Sequence, residues 1–401
     1  MKLPTPKTMI EVAKVAATGV LAGGFAILAI NLLPQFVKIE HSITDLRTVA
    51  FSDRAPQTSL DVAIVGIDEK SLEGVPYLSP LDRGYLSDVV TEIAGAEPRV
   101  IVLDILFDRT TEPKKDEALE QTLRNLQVPV VLIRSGDPLD PAFQNRFLAS
   151  TYRPIGGPLV SATVDDVVRH IPVSPDGTCS LSEAAKLVRD NPGLRTLPHC
   201  DRERPIRIDW LLEPPGQETF TYIRSSELTG PDVMPLQLAR LRGKVVIIGG
   251  VFDLIDRHKT PLSVLHGDTA GVPGTQSSLS NGATSPGVLV HAQAMQQLFD
   301  GRVRHELGVI GEAILLLFCG LSGAILGSFS EMRKRRGIVL FVVTISLIVI
   351  DITLFKFARF VLPGDAAGFA VFLGFLFNSM RLNYRIGGLP SAGKTLGETI
   401  L

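Results

Sequence analysis

Cysteine and tryptophan are almost missing: 401 residues hold three of the first and one of the second. Three cysteines are too few for a disulfide-stapled scaffold. An excess of one charge is missing too. Lys and Arg number 40 against 42 Asp and Glu, a formal net charge of −2. A chain so balanced has no electrostatic footprint for nucleic acid. No nucleophile elbow, no HExxH helix and no paired-cysteine zinc spacing occurs. No catalytic residue or cofactor is therefore assigned, and metal content is left open.

What the chain does have is long apolar runs, and they sit at its two ends. Residues 12–33 form the first; 307–329, 337–355 and 366–380 form the other three. A bilayer core of about 30 Å takes about 20 apolar residues per helix. Residues 366–380 are short for that, unless 357–362 dip in as well. The expectation is four transmembrane helices, one N-terminal and three C-terminal, around a water-soluble block at 34–306.

Basic residues orient the spans, because Lys and Arg are retained in the cytoplasm. Lys2, Lys7 and Lys14 flank the first run, Arg333-Lys334-Arg335-Arg336 lies between the second and third, and Arg381 and Arg385 follow the fourth. These sites share one face if four spans alternate. The segments 1–11, 330–336 and 381–401 are thus expected in the cytoplasm. The block at 34–306 and the turn at 356–365 are expected outside, although Lys356 and Arg359 in that turn run against the rule. The first run exceeds a signal-peptide core, and Leu33-Pro34-Gln35-Phe36-Val37 has no small-x-small site, so it reads as an uncleaved anchor.

Inside the block, strand-like and helix-like stretches alternate. Residues 60–67, 99–107 and 128–133 are β-branched apolar runs suited to strands buried on both faces. Residues 82–94 and 116–126 carry apolar side chains at helical spacing. The alternation predicts right-handed crossovers and an α/β domain with a mostly parallel sheet. From 137 to 218 the pattern loosens into an irregular insertion, with strand-like runs at 167–173 and 206–212. Regularity returns with a short helix at 235–241, a strand at 243–250, a Gly/Ser/Thr/Pro-rich loop at 267–286 and a helix at 288–301.

Cys179 and Cys200 lie in the outside block, where disulfides are permitted. Either they pair, closing a loop worth very roughly 3 kcal/mol, or they are two free thiols. Cys319 lies within the second span. Asp68, Asp104, Asp253, Asp256, His258 and His291 fall at or just after expected strand ends. Ligands bind beyond the carboxyl ends of strands in open parallel sheets, so this group is the candidate site. Arg257 joins it as an anion ligand or as a partner of Asp68 or Asp104. The competing reading is that each Asp caps a turn. Asp351 and Glu312 are acids in or near spans, read as interfacial. Gly320, Gly323 and Gly327 give small-residue spacing for close helix packing. Gly388-Leu389-Pro390-Ser391-Ala392-Gly393-Lys394-Thr395 satisfies the phosphate-loop pattern but lacks the strand-to-helix setting the loop needs, so it reads as a tail.

Several of these stretches together resemble the type-2 CHASE domain, an extracytoplasmic sensory module of bacterial transmembrane receptors. The resemblance rests on Val62-Ala63-Ile64-Val65-Gly66-Ile67-Asp68-Glu69-Lys70-Ser71-Leu72, Pro80-Leu81-Asp82-Arg83, and Val100-Ile101-Val102-Leu103-Asp104-Ile105-Leu106-Phe107. It continues through Asp166-Val167-Val168-Arg169-His170-Ile171-Pro172 and Leu241-Arg242-Gly243-Lys244-Val245-Val246-Ile247-Ile248-Gly249. It ends in Asp256-Arg257-His258-Lys259-Thr260-Pro261-Leu262 and Pro286-Gly287-Val288-Leu289-Val290-His291-Ala292. Gly74-Val75-Pro76-Tyr77 departs from it, since the family often has Gly and Trp-Pro there. The resemblance implies a sensor in the bacterial inner membrane, its main domain in the periplasm, and a homodimer. Such receptors usually continue into an output domain, and none is expected here. A separate kinase, cyclase or response regulator would then carry the signal. The alternatives are a non-catalytic scaffold subunit of an envelope complex and a periplasmic metal-dependent enzyme. The orientation is checked by reporter fusions at Val100 and Val246: an alkaline phosphatase fused at either is expected to be active, and activity of a cytosolic reporter there would reverse the topology.

Overall fold

The computed structural model describes residues 6–56, 60–77, 79–158, 165–174, 176–229, 235–262, 284–328 and 335–386. The chain divides into two units, 45–304 and 1–44 with 305–401. Half of the Arg333–Arg336 cluster, the phosphate-loop-like tail and nearly all of the 267–286 loop lie outside the described residues.

The 45–304 unit is built on one six-stranded sheet. Its strands are β1 (Val62–Ile67), β2 (Val100–Asp104), β3 (Val130–Ile133), β4 (Ile155–Gly156), β7 (Thr221–Arg224) and β8 (Val245–Gly250). Between β4 and β7 come β5 (His170–Ile171) and β6 (Ile206–Arg207), which pair antiparallel with each other outside the sheet. The sheet order is β4-β3-β2-β8-β1-β7, and every neighbouring pair runs parallel. Parallel strands need covered faces, and β1, β2, β3 and β8 are buried along nearly their whole lengths.

Helices α3 (Arg83–Gly95), α4 (Pro113–Asn125) and α5 (Pro141–Thr151) contribute Leu86, Val89, Leu119, Leu123 and Phe147 to one apolar layer. The other layer includes Ala184, Ala185 and Val188 of α6 (Leu181–Asp190). It also takes Val288, Ala292 and Met295 from a helix at Gly287–Phe299, here α8, which follows the short α7 (Pro235–Ala239). Asp82 caps α3 by accepting the Tyr85 amide, and Ser180 with Glu183 closes a capping box on α6. Each cap satisfies amides that a helix start leaves without partners.

Three differences from the sequence reading stand out. The expected loose segment contains a regular helix, α5, whose Pro141 sits at a first-turn position where the missing N–H costs nothing. It also leads into β7, a sheet edge strand that the reading missed. The runs at 167–173 and 206–212 shorten to the two-residue β5 and β6, because only two residues on each side pair. Of the two readings of Cys179 and Cys200, the structure has the expected pairing: they are joined, with their Cα atoms 4.9 Å apart.

The second unit contains α1 (Pro6–Leu32), the first residues of α2 (Pro34–Phe51), α9 (Val309–Ser328), α10 (Arg336–Phe357) and α11 (Gly364–Ile386). Among the described residues, Met9–Leu32, Val309–Ser328 and Gly337–Phe357 are helical and apolar enough to cross a membrane. The expected fourth stretch is helical but is not among them. The helix that contains it, Gly364–Ile386, also carries Asn378, Arg381 and Arg385, which lower its apolarity. Glycines let these helices meet at backbone distance. A Cβ added at Gly320 would sit 2.6 Å from the Gly23 nitrogen, and one at Gly327 would sit 2.7 Å from the Phe375 carbonyl oxygen. Larger side chains cannot enter such contacts. Asp351 lies beside the start of α11, where a Gly364 Cβ would stand 2.9 Å from its carboxylate.

Ile247 lies in β8, paired on both sides and fully buried. Ile247→Ala is expected to cost the domain about 2–5 kcal/mol by leaving a cavity. Denaturant unfolding followed by fluorescence of Trp210, the chain's single tryptophan, reads this loss, because Trp210 is buried within the same unit.

Candidate functional site

Strands β1, β2 and β8 deliver their carboxyl ends to one edge of the sheet. There a cavity of about 450 Å³ opens, lined by residues from several segments of the 45–304 unit. Its size falls in the range of small-molecule sites. Most of the lining is apolar, with Ile67, Leu106, Phe252, Ile255 and Val290 among the contributors.

Four of the expected site residues gather here: Asp104, Asp256, His258 and His291. Asp104 is the last residue of β2. His291 lies on α8, one turn inside the helix, rather than at a strand end as its sequence position suggested. Its Nε2 stands 3.6 Å from Asp104 Oδ1, and the two side chains are 7% and 9% exposed. That separation is too long for a hydrogen bond. Among the described residues, Asp104 Oδ2 and His291 Nδ1 are both buried without a hydrogen-bond partner. Such atoms are costly in a folded interior.

Asp256 holds the opposite side. Its backbone lies in the left-handed region, at φ 53°, a conformation that short polar residues tolerate. Its carbonyl accepts the Gly287 amide at 3.0 Å. Its carboxylate presses so close to Gly287 that a Cβ there would stand 2.5 Å from Oδ2. Glycine is therefore required at the start of α8. His258 Nε2 and Asp256 Oδ1 are 3.0 Å apart.

The other three candidates, Asp68, Arg257 and Asp253, separate from the cluster. Asp68 accepts the Ser71 amide at 2.8 Å and hydroxyl at 2.6 Å, and pairs with Arg224 at 2.5 Å. Burial alone would raise its pKa, but Ser71 and Arg224 outweigh burial and hold it below the ordinary carboxylate value. Asp68 is a turn cap with a cation, not a cavity wall. Arg257 pairs with neither Asp68 nor Asp104 in the contacts described. Its Nε and one terminal nitrogen donate to Thr284, at 3.2 and 2.6 Å. Asp253 offers its backbone amide to Glu69 at 3.0 Å. Glu69, Asp108 and Arg109 line the cavity instead, and sequence reasoning missed them. Glu69 sits next to Asp68, so the signal was present but assigned to the wrong one of two adjacent acids. Among the described residues, no group of three His, Cys, Asp or Glu side chains is placed to hold a metal ion.

A model of the CHASE2 domain matches residues 20–325. The chain belongs to the CHASE2 domain family. No curated protein and no solved structure matches it. CHASE2 is a sensory rather than a catalytic family.

The 45–304 unit also secures both of its ends with buried ion pairs, a feature that sequence reasoning did not find. Asp45, its first residue, takes two hydrogen bonds from Arg169, at 2.8 and 2.6 Å, with the two side chains 4% and 2% exposed. Arg169 also pairs with Asp165. At the other end, Asp209 pairs with Arg302 at 3.0 Å and with Arg304, the last residue. Arg169 precedes β5, and Asp209 follows β6. The partners stand 124 and 95 positions apart, too far for any local pattern to announce them.

Helix α8 connects the cavity to these clasps. Gln293 and Gln297 pair by their amides with the backbone of the segment after β6, at Leu211, Asp209 and Arg207, over 2.8 to 3.0 Å. Val290 and Ala294 pack with Val168, Ile171, Ile208 and Trp210 in one small core. Val168 and Val290 both line the cavity as well.

Burial raises the Asp104 pKa well above 3.8, helped by the nearby charge of Asp256. Burial lowers that of His291 to about 4, against the pull of Asp256 and with the push of His258. Both shifts favour the uncharged forms, and they bias stability oppositely. The contribution of His291 is complete above about 6.5, the unfolded value, and is lost as pH falls toward 4. That of Asp104 is complete below its unfolded value and is lost as pH rises toward its raised one. The two offset each other between about pH 4 and 6.5. Asp104→Asn removes one of them. The variant should therefore gain stability relative to wild type as pH rises through the range between the unfolded and the raised pKa of Asp104. Unfolding at several pH values checks this, and parallel pH profiles would refute it.

Proposed function

We propose that the chain is a membrane-anchored sensor whose CHASE2 domain lies outside the cytoplasm, detects a small molecule there and relays the event to a separate protein. The single observation that carries this reading is the physical continuity between cavity and tethers. Helix α8 walls the cavity with Val290 and His291, and its glutamines hold the segment that carries Asp209. Val168 walls the same cavity one residue before Arg169. A ligand that repositions α8 or Val168 acts directly on the contacts that fix where the chain enters and leaves the domain.

The relay requires two states and a ligand that prefers one of them. The buried ion pairs suit a discrete switch. Removing one partner of such a pair costs several kcal/mol, so intermediate arrangements are disfavoured. The entry clasp lies at the end of the chain leading from the first apolar helix. The exit clasp lies directly before His305–Glu306, which pairs in parallel with Phe360–Val361 between α10 and α11. A change at either clasp is thus delivered to an element joined to membrane helices.

The basic residues beside the spans support a periplasmic domain in a bacterial inner membrane, with α11 as a fourth span. Family resemblance supports a homodimer, with a kinase, cyclase or response regulator as the separate partner. The lipid bilayer is the remaining contact, and the charge balance gives nucleic acid no role.

The test uses the intact chain in lipid nanodiscs, with spin labels at Ser42 and Val303, two exposed positions, one just before the 45–304 unit and one at its end. Compounds that stabilise the domain are expected to shift the label-to-label distance distribution. Asp45→Ala should lower stability by about 3 kcal/mol and uncouple the distance shift from binding. A compound that binds the cavity and leaves the distance unchanged would refute the relay.

A further inference from the structure

We propose that the cavity of the CHASE2 domain takes a small organic cation, a primary ammonium group on an apolar body, with the ammonium held between Asp104 and Asp256. The inference rests on the sensor reading of this cavity and names its ligand class.

The charges lining the cavity are unequal. Glu69, Asp104, Asp108 and Asp256 bring four carboxylates, and Arg109 brings one guanidinium. Arg109 Nε is already engaged with Asp108 at 3.4 Å. Glu69 is engaged with the Asp253 amide. The acid at the end of β2 has no such partner among the described residues: Asp104 Oδ2 is buried and unbonded. Its neighbour His291 does not supply the missing donor, since 3.6 Å separates the closest atoms and His291 stays neutral by burial. The Asp256 carboxylate lies against Gly287 in a left-handed turn, half-exposed, with His258 Nε2 3.0 Å from its Oδ1.

Two acids facing a mostly apolar space want a compact donor that carries charge and an apolar tail. An ammonium has three N–H donors and no acceptor, which suits lone pairs from two carboxylates. Anions would meet these acids. A neutral alcohol offers one donor and would leave Asp104 protonated. A bare divalent metal needs three or more protein ligands, and the described residues do not offer that set.

Occupancy carries a proton signature. Asp104 faces His291 from α8, Asp256 and His258 from the β9 region (Arg257–His258), and shares the cavity with Glu69, Asp108 and Arg109. Burial and the Asp256 charge favour its protonated form in the empty cavity. A bound ammonium reverses that preference, so the proton leaves Asp104 as the cation arrives. Affinity therefore rises with pH up to the raised pKa of Asp104.

Calorimetry on the full chain in detergent, with phenethylamine, 2-phenylethanol and 3-phenylpropanoate as matched probes, tests this. Phenethylamine is expected to bind at least tenfold more tightly than the other two, and to release protons when titrated in buffers of different ionisation enthalpy. Asp104→Asn and Asp256→Asn should each weaken the amine at least tenfold, and Asp104→Asn should abolish the proton release. Asn tolerates the left-handed backbone at 256, and Trp210 fluorescence verifies that each variant is folded. Equal or tighter binding of the alcohol or carboxylate overturns the inference, as does unchanged amine affinity in a folded Asp104→Asn. If one of those competitors binds and moves the Ser42 and Val303 labels, the cation class fails and the sensor reading stands. Amine binding without label movement keeps the class and removes the relay. If no probe binds, the cation class is overturned.

Discussion

A parallel sheet must be covered on both faces, and that requirement organises the rest of the CHASE2 domain. Strands β1, β2 and β8 are buried to completion by α3, α4 and α5 on one side and by α6 and α8 on the other. Every crossover returns the chain to the same starting edge. The faces are thereby closed to ligands, and the edge where the strands end is left open. Asp104 lies there because β2 ends there, and Asp256 lies there because the chain turns after β8 to reach β9.

Helix α8 does three jobs within 13 residues. Its first turn meets Asp256 through Gly287. Its second carries His291 into the cavity floor. Its later turns use Gln293 and Gln297 to hold the segment after β6. Glutamine amides can donate and accept at once, so each side chain pairs with the backbone much as a neighbouring strand would. Burying these amides is tolerable only because the partners described meet both ends. The result is a rigid connection between the place where a ligand would sit and Asp209, which secures the domain's exit.

The clasps themselves are ion pairs in the interior. Charges there are worth keeping only when they are multiply hydrogen-bonded. Arg169 meets that condition with Asp45 and Asp165, and Asp209 meets it with Arg302 and Arg304. Their position at the first and last residues of the unit gives a reason for retaining them beyond stability. They define the geometry in which the two tethers leave the domain.

Periodicity in the chain was enough to announce the parallel α/β core, the apolar helices and an acidic edge. Each of these follows from local alternation or from runs of apolar residues, and runs of that kind are visible without any contact. The exchange of Asp68 for Glu69 as a cavity residue was not visible. Two adjacent carboxylates in one turn differ only in which way the turn presents them, and Arg224, from a strand 156 positions on, decides it. Nor was α5, because a proline at a helix start looks like a loop until the helix is seen. The pairing of Asp45 with Arg169 and of Asp209 with Arg304 belongs wholly to the tertiary structure. Ion pairs between distant segments carry no period and no spacing, and only the packing of α8 against β5 and β6 brings their partners into one dry interior.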